Sequence, residues 1–306
     1  MVRSKYLNLD ELKLMKPTHS LACRSNTATH ISVLLLCLIT VLLGSCAPAF
    51  FYRHADRLVL WKIDEYVDLT SNQKGLVRAR LRELLVQHRN DALPRYERFL
   101  VEIKEKITDG LDRQEVDWIF STYQHLRADL FERIVADGGT VLSTLSDQQV
   151  RYLETKLQRD HEKAVRRLQE DPESRRSTRA STTLDWLKDW LGTLTKAQQL
   201  RIKELSMALP DMTASSTDYQ RHRQQELIQV LQSTRDARLL SRYLENWLVH
   251  SERKLPAEYQ HALDLMQTPV KDMVLSIDSL ITTQQRAHAL TKLQQLIDEV
   301  HALSAS

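Results

Sequence analysis

Residues 146–168 read SDQQVRYLETKLQRDHEKAVRRL, and their spacing decides the fold class. Val150, Leu153, Leu157, His161, Ala164 and Leu168 recur at steps of three and four, a single stripe on a helix of 3.6-residue period. Ser146 and Gln149 stand just ahead of the stripe at capping-box spacing. In that box the hydroxyl accepts the backbone N–H three residues on, and the Gln reaches back to the cap residue's own N–H. Val116, Ile119, Tyr123, Leu130 and Ile134 give an earlier helix of the same kind. Six Gly and seven Pro in 306 residues leave little turn material for an all-β or α/β fold, and little for glycine-rich nucleotide loops. The expected class is all-α. Breaks are expected at Leu93-Pro94, Gly138-Gly139, Asp171-Pro172, Pro210, Pro256 and Pro269, with Pro94 and Pro256 in first helical turns.

Working outward, the Ser146 box is one of four with the form Leu/Ile-Ser/Thr-x-x-Gln. The others begin at Leu69-Thr70 with Gln73, Leu194-Thr195 with Gln198, and Ile281-Thr282 with Gln285. A shift of 125 residues lays Trp61, Asp64, Leu69, Thr70 and Gln73 on Trp186, Asp189, Leu194, Thr195 and Gln198. A shift of 136 lays Gln148-Gln149 on Gln284-Gln285, and Thr155-Lys156-Leu157-Gln158 on Thr291-Lys292-Leu293-Gln294. The 11-residue difference fits into a loop. These matches are read as a tandem duplication into two helical-hairpin or bundle halves, 46–171 and 181–306. Residues 172–180, polar except for Ala180, are the expected linker.

At the N-terminus a basic leader (Arg3, Lys5, Lys13, Lys16, Arg24) precedes an apolar run from Ile31 to Leu43, broken only by Ser32 and Thr40. About 13 apolar residues suit a signal-peptide core and fall short of the roughly 20 that a membrane span needs. Leu43-Gly44-Ser45-Cys46 follows at once and resembles the bacterial lipobox. The resemblance implies removal of residues 1–45 and a lipid on Cys46; Met15 offers an alternative start that gives a leader of more ordinary length. Ala47 stands where an inner-membrane retention Asp would sit, so by resemblance to the usual sorting rule the expected address is the outer membrane, facing the periplasm. The chain carries 43 Lys+Arg and 40 Asp+Glu, and losing the leader's five basic and two acidic groups leaves 38 of each. That neutrality disfavours nucleic acid as a partner. Cys23 and Cys37 leave with the leader, so no thiol remains for disulfides, catalysis or thiolate metal sites.

The four boxes resemble the LTxxQ motif of the Spy/CpxP periplasmic proteins, which carry two per chain. That resemblance implies helical hairpins forming a concave cradle, ATP-independent chaperone activity and a role in envelope stress. The spacings of 76 and 87 residues between paired boxes exceed those of that family's compact protomers, and the mature charge is neutral rather than basic. Two such halves in one chain would mimic the family's dimer. A second likeness covers more of the chain: Phe51-Tyr52, Asp56, Leu58, Trp61, Asp64, Tyr66 and Asp68-Leu69-Thr70, then Leu93-Pro94-Arg95-Tyr96, resemble a family of proteobacterial lipoproteins and imply no particular activity.

Catalytic and cofactor motifs are absent: there is no G-x-S-x-G, P-loop, G-x-G-x-x-G or H-E-x-x-H. Glu258 and His261 have the i, i+3 spacing of one di-iron ligand pair, but such a site needs a second pair, so no metal is expected. His125 with Asp129 and His222 with Glu226 read as helical surface pairs, and His161 as a core histidine. Arg78, Arg82 and Arg89 read as a solvated row. Trp61 and Trp186 are read as equivalent core anchors, against the alternatives of membrane-interface packing or partner docking around Tyr52 to Asp68. The functional expectation is a non-enzymatic binding role in the envelope. Spy-like holding of client proteins is one form, and a scaffold docking a single envelope partner is the other.

Overall fold

The computed structural model describes residues 52–305. Leu43, Gly44, Ser45 and Cys46 lie outside the described residues. Among those described there is helix, turn and coil, and no strand. The first half runs α1 (Ala55–Val67), α2 (Ser71–Gln87), a π-helical turn (His88–Ala92), α3 (Leu93–Lys106), α4 (Arg113–Ser143) and α5 (Asp147–Leu168). The second runs α6 (Pro172–Leu191), α7 (Lys196–Ala208), α8 (Thr213–Ser233), α9 (Ala237–Leu244), a second π-helical turn (Glu245–Val249), a 3₁₀ turn (Ser251–Lys254), α10 (Ala257–Leu280) and α11 (Thr283–Ser304).

The packing pattern repeats. α1 lies on α2 and α5, as α6 lies on α7 and α11; α2 touches α4 as α7 touches α10. The middle helices cross over: α3 packs on α4 and on α11 of the other half, while α8 packs on α10 and on α5 of the first half. Exchanging α1, α2, α3, α4 and α5 with α6, α7, α8, α10 and α11 maps each of these contacts onto another, and the α4–α10 contact onto itself. The cores follow. Leu60, Val77, Val150 and Leu153 of the first half close over Ile228 and Leu231 of α8. Leu93 and its α3 neighbours close with Leu293, Ile297 and Val300 of α11, and Trp190 joins this group to the Leu184–Leu194 cluster.

α9 and its π turn fall outside the pattern. They pack on α4 through Phe131, Val135, Leu244 and Leu248. Here the sequence expectation is corrected: Gly138-Gly139 does not break the chain but sits inside the 31-residue α4. A Cβ at Gly139 would lie 2.1 Å from Ser241 Oγ and 2.7 Å from the Ala237 carbonyl, so the glycine is what lets α9 approach. Pro269 likewise lies within α10 instead of ending it. It removes one i→i−4 bond, to the carbonyl of Leu265, whose turn is exposed to water.

Residues 172–180 belong to α6. Asp171 caps that helix by accepting Ser174 N–H at 2.8 Å, with Pro172 in the first turn. The order comes from arginines where apolar residues are missing. Arg175 bridges Asp211 at 2.6 Å to carbonyls at the end of α5, including Leu168 at 3.3 Å. Arg179 donates to Ser206, Leu209 and Pro210 carbonyls at 2.7–3.0 Å, capping the end of α7. Each guanidinium fills orphan acceptors that a helix end otherwise leaves to water.

Candidate functional site: the paired cap motifs

All four boxes close. Thr70, Ser146, Thr195 and Thr282 each accept the N–H of the Gln three residues on, and each Gln oxygen takes the cap residue's N–H at 2.9–3.0 Å. The structure then brings the boxes together in pairs. Gln73 Nε2 donates to Gln149 Oε1 at 3.1 Å, and Gln149 Nε2 returns a bond to Gln73 Oε1 at 2.7 Å. Gln198 and Gln285 exchange the same two bonds at 2.8 and 3.0 Å.

A second set of bonds locks each pair to the backbone. Gln73 donates to the Thr144 carbonyl and Gln149 to that of Asp68, at 2.8 and 2.9 Å. Gln198 donates to Leu280 and Gln285 to Thr193, both at 2.8 Å. Every one of these carbonyls lies two residues before the partner's cap, so each pair forms a reciprocal clasp between two helix starts. The four amides are 7–8 % exposed and have their donors and acceptors engaged, as buried polar groups require. The sequence carried the boxes but not their pairing, because spacing along the chain says nothing of which helix starts meet. A fifth box, Asp112 with Glu115, opens α4 and escaped the sequence reading.

The first clasp floors an open cleft of about 560 Å³. Leu76 and Tyr152 supply its apolar walls, Asn72 and Gln148 its amides, and Asp68 its only carboxylate. Asp68 holds a left-handed backbone, φ 50°, that turns α1 into the clasp. At the second clasp the residue matching Tyr152 is His288, whose ring bonds the Trp190 carbonyl at 2.9 Å.

The other sequence candidates are scattered. Glu258 and His261 are exposed on the first turn of α10, and among the described residues no group of three His, Cys, Asp or Glu could hold a metal ion. Asp129 pairs with Arg95. His161 is half-buried, and burial with nearby Arg221 lowers its pKa. Arg78 and Arg82 are exposed, whereas Arg89 is half-buried beside Tyr52. Trp61 and Trp186 correct the expectation of core anchors: both lie on the surface, 63 % and 49 % exposed. Missed by the sequence reading was His88, buried in the first π turn with Nδ1 3.0 Å from the Tyr52 hydroxyl and its ring beside Tyr96. Burial, and then Arg133, lower its pKa to about 4.

Fold and site together define an all-helical protein whose two halves are each closed by a glutamine clasp. The chain belongs to DUF6279, a family of unknown function whose model matches residues 65–260, from the end of α1 to the first turn of α10. No curated protein and no solved structure matches it. Among the described residues no helix is long and apolar enough to cross a membrane.

Proposed function

We propose that this is a lipoprotein anchored through Cys46 in the outer membrane, facing the periplasm, with a non-enzymatic role in binding other proteins. The lipobox at 43–46 supports the anchor. The carrying observation for binding is the cleft over the first clasp: open, walled by Leu76 and Tyr152, edged by amides, and furnished with one carboxylate. Acid–base chemistry needs paired, tuned groups, whereas a shallow hollow of mixed polarity suits a segment of polypeptide. We read the recurring packing as a tandem duplication in which two Spy-like halves stand in for a dimer, and the activity as holding unfolded chains without ATP.

The test uses the protein at stoichiometric amounts against several unrelated denatured proteins in the absence of ATP. Suppressed aggregation of most of them is the expected result. Suppression of none would discard the holding role. The second reading, a scaffold for one envelope partner, has its own support: the two clasps differ, with Tyr152 beside the first and His288, bonded to the Trp190 carbonyl, at the matching position of the second. It expects a single partner to be recovered by cross-linking in native membranes.

A further inference from the structure

We infer that the face of α1 formed by Arg57, Leu58 and Trp61, with Arg53 just ahead of the helix, rests on an anionic phospholipid surface, so that lipid and helix hold the molecule at two points. This rests on the reading of Cys46 as the lipid attachment site. The chain joins the folded body at Tyr52, which is buried with Leu93, Leu293 and Ile297. Six residue steps separate it from Cys46, a reach of about 20 Å even when fully extended. A body tethered that closely must turn the start of α1 toward the bilayer.

The chemistry of that face fits. Arg57 and Trp61 lie one helical step of four apart on α1, both exposed, with Leu58 41 % exposed beside them and the exposed Arg53 just ahead of the helix. An indole at the interface and arginines against phosphate headgroups are the usual partners of such a surface. The two acidic residues one turn beyond Trp61 are neutralised within the protein. Asp64 pairs with Lys74 at 2.8 Å and accepts Leu69 N–H at 2.8 Å, and Glu65 pairs with Lys62 at 2.9 Å. Among the described residues Arg53 and Arg57 form no ion pair, and Asp56 is half-buried on the helix flank.

The second half supplies the comparison. At the 125-residue shift Trp61 meets Trp186, equally a surface residue, but Arg53, Arg57 and Leu58 meet Thr178, Thr182 and Thr183. Asp185 and Asp189 flank Trp186, paired with Lys188 and Lys292. The exposed indole is common to both halves, whereas threonines on α6 stand at the positions that match Arg53, Arg57 and Leu58.

The experiment takes the full-length protein extracted from the bacterial envelope and reconstituted into phosphatidylethanolamine–phosphatidylglycerol vesicles. These carry a phospholipid spin-labelled near the headgroup, and tryptophan emission is read alongside mass analysis of the N-terminal peptide. Quenching of the wild type is expected, lost in Trp61→Phe and retained in Trp186→Phe. The double variant Arg53→Ala/Arg57→Ala should lose it several-fold, and neutral phosphatidylcholine vesicles should show little. A lipidated Cys46 with quenching unchanged by Trp61→Phe, with quenching that follows Trp186, or with none, overturns the docking face and leaves the anchor standing. A Cys46 without lipid overturns both.

Discussion

A glutamine three residues into a helix can take its own cap residue's N–H with its oxygen and still hold an NH₂ group free to donate. That is why these boxes close with Gln. Glu caps equally well but cannot give a hydrogen bond when ionised, and the box that uses it, Asp112 with Glu115, caps α4 on an exposed stretch. Gln73→Ala or Gln198→Ala leaves a buried partner amide and a carbonyl unpaired, so each should cost about 2–4 kcal/mol in denaturant unfolding. Glu115→Ala should cost about 1 kcal/mol or less. Equal losses at all three positions would refute the clasp. His88 carries the second residue-scale expectation. Its folded pKa of about 4 lies below the ordinary 6.5, so the unfolded chain takes up the proton first as pH falls. Its contribution is whole above pH about 6.5 and disappears progressively down to pH about 4, a loss of roughly 3 kcal/mol. Stability curves for His88→Gln should be flatter than wild type across that window.

At the scale of elements, most of the helices were legible, because their starts are written in side chains that act locally: the Ser and Thr caps, and Pro94 in a first turn. What was not legible depends on neighbours far along the chain. Gly138-Gly139 reads as a break in isolation, and only the approach of α9 makes it a helix crossing. The polar stretch 172–180 lacks the apolar stripe that marks a helix, since its order comes from Arg175 and Arg179 serving the ends of α5 and α7. Trp61 and Trp186 read as core because they recur at matching positions of the two halves; their exposure follows from which face of α1 and α6 the other helices cover. Gly139→Ala should destabilise by about 1–3 kcal/mol, since its Cβ meets backbone that cannot yield without moving α9. Gly75→Ala, on the open face of α2 with nothing within 4 Å, should stabilise by roughly 0.5–1 kcal/mol. Thermal unfolding of the two variants checks both signs.

For the whole molecule, the crossing of α3 and α8 into opposite halves matters most. Neither half holds a complete core: the first lacks Ile228, Leu231 and Leu240, and the second lacks Leu93 and its α3 neighbours. Residues 46–171 produced alone should therefore show no cooperative unfolding transition, while residues 46–306 unfold in one step; a sharp transition in the isolated half would contradict that interlocking. The four boxes were readable in the sequence, whereas the exchange of middle helices left no trace in spacing. The proposed function requires the cleft over the first clasp to bind polypeptide. The test places a photoreactive phenylalanine analogue at position 152 of the protein, mixed with one of the denatured proteins from the aggregation assay. The account expects adducts with that chain, and few when the same analogue stands at the exposed Leu265 on α10. Adducts absent at 152, or equally abundant at 265, would contradict it.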